Sequence, residues 1–492
     1  MSLRLLLAAA CALVALPGTA VAAAPCDDPA HPAGEWRTYG ADLVNSRSQP
    51  QEDVIGADNA GALAPAFVYE APGLINSTPI VDGGCVFVTS QGASTSIARV
   101  AALDADDGAE RWTADIPVGR AAFGGPMVGS PAVTGDLVLA AVNKQAGPFI
   151  VALDRDTGTE VWRTTIDTQE LSGINASPVV HDGMVFIGFF GNADAESHER
   201  GGFALLDVAT GALLKKTFVI GDEDFAAGYA GAGVWSTAAI DTEAGYAYAG
   251  TSNPHSARME HPRSNSMLKI DVDRTRSTFG EIVASYKGVS DTIVPGAADQ
   301  PVCEAKQDVY YAYSFSATCL AIDLDFGASP NLFRDDAGTL RVGQLQKAGV
   351  YHVVDAAEMS GLAQVPVGAP CFACNAASSA FADGSAFVAA GPPGQMLSID
   401  GTEGLASWAA PIGGGFTYNA VSVANGVVWS VDSAGFLNAY DQATGLVLAK
   451  RRLQDDTGVS MLEATTSTGI AIARNTLYTA ATTFVIALRP AS

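Results

Sequence analysis

Apolar and polar residues alternate along most of the chain in runs too short and too regular in period two for helices. Segments such as "SPAVTGDLVLAAV", ending at Val142, and "ASPVVHDGMVFIGF", ending at Phe189, read as strand, tight turn, strand. A second pattern follows each of them. "VAALDADDGAERW" ends at Trp112, "IVALDRDTGTEVW" at Trp162 and "MLSIDGTEGLASW" at Trp408. "FALLDVATGALLKK" begins at Phe203, "MLKIDVDRTRS" at Met267, "YHVVDAAEMSG" at Tyr351 and "LNAYDQATGLVLAK" at Leu437. Most of these are an apolar strand, an Asp-x-x-x-Gly turn and a further short strand. The Asp carboxylate can cap the turn and Gly supplies its positive φ. A Trp eight residues after the Asp can pack between neighbouring units.

The aligned Asp residues are 104, 154, 207, 271, 355, 400 and 441, in steps of 50, 53, 64, 84, 45 and 41. "FVIALRPAS" repeats the strand 48 residues further on, with Arg489 in the Asp slot, which makes eight units. Four strands in each such unit, repeated around a ring, predict an all-β fold, an eight-bladed β-propeller. The eighth unit lacks its outer strand, and "LAPAFVYE", Leu63 to Glu70, looks like the missing piece. The N-terminus would then close the ring and remove an open sheet edge. The 84-residue step predicts an insertion near residues 288–320.

An apolar share of 48% provides a large core, and the single propeller domain is expected to span residues 24–492. Lys and Arg number 27 against 52 Asp and Glu, so the net charge is −25. That excess argues against nucleic acid and anionic membrane as partners. Arg4, the apolar run Leu5 to Leu16 and the small residues through Ala24 read as a secretory signal peptide over residues 1–23. No later run offers the 18 or so apolar residues of a membrane span. Export to a bacterial periplasm is expected, where disulfides form. Cys26, Cys85, Cys303, Cys319, Cys371 and Cys374 remain after the leader; the local pairings are Cys303–Cys319 and Cys371–Cys374. Asn375 follows Cys-Phe-Ala-Cys where c-type haem attachment would need His.

The Ala-x-Asp-x-x-x-Gly-x-x-x-Trp repeat resembles the tryptophan-docking motif of quinoprotein propellers. "EWRTYGADLVNSRSQP", Glu35 to Pro50, looks like the start of alcohol dehydrogenases that use pyrroloquinoline quinone (PQQ). "LDFGASPNLF", from Leu324, is similar to the polyvinyl alcohol dehydrogenase branch. The resemblance implies PQQ and calcium on the propeller axis, and it implies roles for particular residues. Trp235 would stack on the quinone, its indole face suiting a tricyclic ring. Asn253, 18 residues later, would give calcium a hard amide oxygen. "GFFGNADAESHERGG" resembles the stretch carrying a calcium-binding Glu; Glu196 stands four before Arg200, with Glu199 and Asp194 as alternatives. Arg200 would contact the cofactor.

"AIDLDFGAS" aligns with the family's catalytic-base segment, with Asp325 as base and calcium ligand and Asp323 orienting or capping beside the cofactor it helps to bind. "VGQLQKAGVYHVVD" resembles the Gln-Lys-x-Gly stretch that sets a lysine, here Lys347, over the quinone's reactive edge. The implied reaction is oxidation of an alcohol, a secondary alcohol or polymeric polyol, to a carbonyl. Electrons would pass to a separate acceptor such as a cytochrome c. The chain departs from the family in having no adjacent cysteine pair, Cys85 being single, and in leaving Arg99 and Arg120 both open as the arginine that follows that pair. That departure favours the rival reading, a non-catalytic periplasmic propeller acting as scaffold or binding module.

Overall fold

The computed structural model describes residues 25–122, 124–191, 198–255, 260–295, 310–311, 319–370, 374–412, 419–458 and 468–491. The expected signal peptide, Asp194, Glu196, Cys303, Cys371 and the middle of the insertion lie outside the described residues. The two local cysteine pairings each involve one of them.

Eight sheets of four antiparallel strands form the blades, and in the seventh blade Ser48–Gln49 adds a fifth, parallel strand beside Ser422–Ala424. Their innermost strands are Ile80–Asp82, Ala132–Thr134, Val179–His181, Ala239–Asp241, Asn331–Arg334, Ala380–Ala382, Ser422–Ala424 and Ala471–Ala473. These strands are short because only a few residues of each blade fit side by side at the axis. In the last blade the outer strand is Leu63–Glu70, antiparallel to Phe484–Pro490. A three-stranded sheet, Thr292–Pro295, Tyr310–Tyr311 and Cys319–Ile322, lies within the insertion between blades 4 and 5.

The Asp turns are capped by their own side chains: Asp104 Oδ1 accepts the N–H of Asp106 at 2.7 Å and of Asp107 at 3.2 Å. The turn glycine then serves the neighbouring blade. Gly158 sits at φ +68°. A Cβ there would lie 2.4 Å from Cε3 of Trp112, so the indole lies flat on bare backbone. Trp112 also donates to the carbonyl of Arg155 at 2.7 Å. Trp162 on Gly211 and Trp408 on Gly445 repeat the contact. Where the chain closes on itself, Phe67 takes the tryptophan's place against Gly108. The alternation that suggested the Leu63–Glu70 strand carried no sign of that substitution.

Two further devices hold the axis. The first is a relay of hydroxyls. Ser130 Oγ accepts the N–H of Thr78, Ser177 Oγ that of Ser130 and Thr237 Oγ1 that of Ser177. Ser329 then accepts from Thr237 and Ser378 from Ser329, at 2.8–3.0 Å. Each step links one blade to the next and satisfies a buried N–H. The second is the segment Trp36 to Gln49, which offers carbonyls to the innermost strands. Arg37, Leu43, Val44, Ser46 and Arg47 accept from Val133, Ile240, Leu332, Phe381 and Val423, in blades 2, 4, 5, 6 and 7. Trp36 bridges Val81 in blade 1, and the Gln49 amide reaches the Ile472 carbonyl in blade 8.

Arg47 is fully buried and lies against the faces of Trp36 and Tyr39. It donates to the carbonyls of Tyr39, Val421 and Ile470 and to Ser422 Oγ, and burial lowers its pKa to about 10. Cys26 and Cys85 form a disulfide that ties this N-terminal stretch to blade 1, so Cys85 is paired and not single.

Candidate functional site

Four of the residues singled out in the sequence meet where blades 4 and 5 adjoin. Trp235 precedes the innermost strand of blade 4. Asp323 and Asp325 follow Cys319–Ile322 as the chain leaves the insertion. Lys347 lies in the turn between Leu340–Gln346 and Val350–Asp355, and its backbone N–H donates to the Asp325 carbonyl at 3.0 Å, which fixes the turn against the Asp segment. Gly327 lets that segment press against the indole, since a Cβ there would lie 2.6 Å from Cη2 of Trp235.

The side chains form one charged cluster. Lys347 Nζ donates to Asp323 Oδ2 at 2.7 Å and lies 2.9 Å from Asp325 Oδ1. The second contact is an ion pair without hydrogen-bond alignment. Trp235 Nε1–H donates to Asp325 Oδ2 at 2.8 Å. The Lys347 ammonium stands over the Trp235 ring, 5.0 Å from its centroid. Asp323 Oδ1 accepts the N–H of Asp325 at 3.1 Å, so Asp323 orients the segment that carries Asp325. Asp323, Asp325 and Lys347 are all buried, while Trp235 is only partly covered. Burial first, then the Asp323 charge, pushes the Asp325 carboxyl up to about 7, against the pull of Lys347 and the indole N–H.

Asn253 belongs to the adjoining wall. Phe326 N–H donates to the carbonyl of Thr251, two residues before it, and the Asn253 Nδ2 donates to the Pro254 carbonyl at 3.2 Å. Its amide oxygen receives no donor among the described residues. Glu199 lies beyond the segment Ala230 to Ala232: Gly231 N–H donates to its carbonyl and Ala232 N–H to that of Asn253. Its carboxylate caps the Leu171 N–H at 2.9 Å. Arg200 stands apart. Among the described residues its guanidinium donates to the Ile220 carbonyl and to Asp222, lies between the rings of Phe218 and Phe225, and does not reach the Asp–Lys cluster. Among the described residues no three His, Cys, Asp or Glu side chains gather as a metal site; Glu196 and Asp194 lie outside them.

Asn375 was missed in the sequence except as the residue that excluded haem. It is buried, and its amide donates to the carbonyls of Lys347 at 3.3 Å and Ala369 at 2.9 Å while accepting the Gly391 N–H at 3.0 Å. It thereby holds the Lys347 turn from behind. Its φ of +57° is the one local signal, since Asn tolerates that conformation better than most residues. Nothing in residue spacing marks it.

The donor set suits the groups expected there. Two carboxylates share one ammonium, so the cluster gains from an added cation when both are ionised. The partly open indole under Lys347 is a platform for a flat, electron-poor ring. Trp235 also borders an axial cavity of about 60 Å³ lined by Tyr39, Ser130, Ser177, Ser329 and Ser378. That volume holds a few waters and not a tricyclic quinone. Neither carboxylate nor Lys347 lines it, so the cavity lies apart from the charged cluster.

Comparison with known proteins agrees with the fold. A PQQ-repeat family model described as outer membrane protein assembly factor BamB matches residues 96–238. The crystal structure of quinohemoprotein alcohol dehydrogenase from Comamonas testosteroni superposes with a TM-score of 0.70 at 19% identity, covering 92% of this chain and 80% of that one. Polyvinylalcohol dehydrogenase of a Pseudomonas species is 25% identical over 65% of this chain and 49% of its own length. In fold and in these partial matches the chain is similar to the PQQ-dependent alcohol dehydrogenase-like propellers. A 1-butanol dehydrogenase (cytochrome c) of Thauera butanivorans is 34% identical over 34% of this chain and 24% of its own length. The chain therefore spans half or less of the length of these curated relatives. No helix among the described residues is long and apolar enough to cross a membrane.

Proposed function

We propose that this propeller is an exported quinoprotein that oxidises an alcohol to a carbonyl, with PQQ and calcium, and passes electrons to a separate acceptor. The observation that carries the reading is the buried Asp323–Lys347–Asp325 cluster set on the edge and face of Trp235. A scaffold has no use for three buried charges at its axis, which cost several kcal/mol to desolvate. PQQ would supply the two-electron acceptor and calcium the Lewis acidity. Trp235 would carry the quinone on its partly exposed indole, and Asn253 with Asp325 and Glu196 would hold the cation.

The chain's own groups then have defined tasks. Asp325 accepts the hydroxyl proton of the alcohol, and a carboxyl near pH 7 suits that role in both directions. Lys347 keeps Asp323 and Asp325 together and presents positive charge above the indole, where reduction builds up negative charge. The indole N–H of Trp235 holds Asp325 Oδ2, so the proton is taken by the other oxygen, Oδ1. A secondary alcohol or polymeric polyol is the substrate class favoured by the polyvinylalcohol dehydrogenase relative. A cytochrome c is the acceptor favoured by the butanol dehydrogenase. The apolar leader and the Cys26–Cys85 disulfide support a periplasmic location.

The rival, a quinone-free binding module, is favoured by the assembly-factor model that matches residues 96–238. Purified protein incubated with PQQ and calcium, then assayed on alcohols with an artificial electron-accepting dye, separates the two. Quinone binding with dye reduction supports the enzyme; no binding at micromolar quinone supports the module.

A further inference from the structure

Behind Lys347 runs a hydrogen-bonded chain that the reaction described above does not use. Gln346, the residue before Lys347, is buried. Its Nε2 donates to the carbonyl of Leu324 at 2.6 Å, between Asp323 and Asp325, and to that of Val289 at 2.7 Å. Its Oε1 accepts the N–H of Val289 at 2.9 Å. Those three partners allow only one orientation of the amide. His352 Nε2 lies 2.8 Å from the same Oε1, so His352 must carry its proton on Nε2 and donate. Its Nδ1 is then an acceptor for the hydroxyl of Tyr286 at 3.1 Å, and Tyr286 in turn accepts from Gln364 Nε2 at 2.9 Å.

Every proton in the chain is thus assigned in one direction: from exposed Gln364 through Tyr286 and His352 to Gln346, and from Gln346 onto the Asp segment. His352 is fully buried, against Phe326 and Tyr286, and burial alone lowers its pKa to about 4, which keeps it neutral. Gly288 makes room for the chain, since a Cβ there would lie 2.8 Å from Gln346 Oε1. The Tyr286 ring meanwhile packs on Gly361 of blade 5, the kind of blade-to-blade contact that tryptophans make elsewhere. A strand interior needs no such arrangement. An apolar side chain at 352 would fill the same space without burying two ring nitrogens that must be matched.

We propose that His352, acting through Gln346 and held by Tyr286, is a positioning residue that sets Asp325 against Lys347 and Trp235. The inference rests on the reading of that cluster as the reactive site. No atom of His352 touches the cluster itself. Its effect is on where the Leu324 carbonyl, and with it both flanking carboxylates, comes to rest. A misplacement on the order of 1 Å is enough to cost as much as 10²-fold in rate.

His352→Phe keeps the ring and removes both hydrogen bonds. His352→Gln restores one donor and one acceptor. In protein free of quinone and metal, exchange of the Trp235 indole proton, assigned with Trp235→Phe, reports the bond to Asp325. The expected result is exchange about tenfold faster in His352→Phe and within about threefold of wild type in His352→Gln, the loss of one net hydrogen bond. With quinone and calcium, kcat should fall about tenfold in His352→Phe, with KM and quinone Kd within about twofold. The melting temperature should stay level or rise, because phenylalanine removes buried polar atoms.

Tyr286→Phe, which keeps the packing on Gly361, should give intermediate values and serves if His352→Phe does not fold. Unchanged indole exchange in both variants overturns the proposal, and so does an equal loss of activity in His352→Phe and His352→Gln. Should the wild type oxidise no alcohol, the functional reading fails, and the indole exchange still decides whether His352 positions Asp325.

Discussion

Asp325 should make the protein less stable as pH rises, in a window that a surface carboxylate would leave flat. Unfolded, the carboxyl loses its proton near the ordinary Asp value of 3.8; folded, it keeps it to about 7. Between those values the folded state binds more protons than the unfolded one, so stability falls with rising pH and stays low above pH 7. The full difference corresponds to about 4 kcal/mol, from about 7 against 3.8 at some 1.4 kcal/mol per unit. Unfolding entropy scales with length, so for a chain of this size 1 kcal/mol moves Tm by only about 1 °C, and the expected shift is about 4 °C. The assay is Tm against pH from 4 to 8, without quinone or divalent cation, for wild type and for Asp325→Asn. The amide cannot titrate, so the difference between the two curves isolates Asp325 from the other carboxylates and histidines. Asp323→Asn should shrink that difference, because it removes the second cause of the raised pKa and leaves Lys347 to Asp325 alone. Parallel wild-type and Asp325→Asn curves across this range would refute the reasoning about burial and charge at the cluster.

In reconstituted protein, Asp325→Asn should lower turnover by about 10²–10⁴-fold with quinone Kd largely kept, measured by dye-linked kinetics and by quenching of Trp fluorescence. Gly158→Ala forces a positive φ on alanine and drives a methyl into Trp112, so denaturant unfolding should show a loss of roughly 2–4 kcal/mol. Reducing Cys26–Cys85, or Cys26→Ser, opens a link across 59 residues and should cost about 4 kcal/mol by loop entropy, read as a lower midpoint in denaturant. Deleting Leu63 to Glu70 should expose the edge of Phe484–Pro490 and give aggregation in light scattering; a monomeric product of unchanged Tm would contradict the closure seen at that edge.

What could be read from the chain beforehand follows from how local each signal is. Asp104, Gly108 and Trp112 act within nine residues, and repetition multiplies a weak local signal into an architecture. The axial hydroxyls were equally repetitive. Ser130, Ser177 and Ser329 each stand before a Pro at the start of an innermost strand. Their role escaped notice because a hydroxyl accepting a backbone N–H from the preceding blade looks, in sequence, like any turn serine. Arg47 was still less legible. A buried cation held by carbonyls, one hydroxyl and aromatic faces, with no carboxylate partner, runs against composition rules, and the ring of inward-facing strand edges explains it. Phe67 broke the tryptophan pattern at the one place where the chain joins itself.

The site divides along the same line. Trp235, Asp325 and Lys347 were found by resemblance, and the structure supplies the reason they go together: the Lys347 N–H on the Asp325 carbonyl locks a hairpin turn onto an irregular segment 22 residues earlier in sequence. The residues missed, Asn375, Gln346 and His352, touch that lock from behind. They are amides and an imidazole inside otherwise ordinary strands and turns, and nothing about their spacing distinguishes them. Asn375 and Gln346 donate to backbone carbonyls, chiefly those of Lys347 and Leu324, which carry no side-chain code at all, and His352 acts on them only through Gln346. A lysine and two aspartates can be matched by motif; the frame that decides their separation is written in contacts between main chain and side chain. That is why activity in this fold should be more sensitive to His352, which bonds the frame, than to Arg200, which bonds Asp222 and two phenylalanines at the periphery.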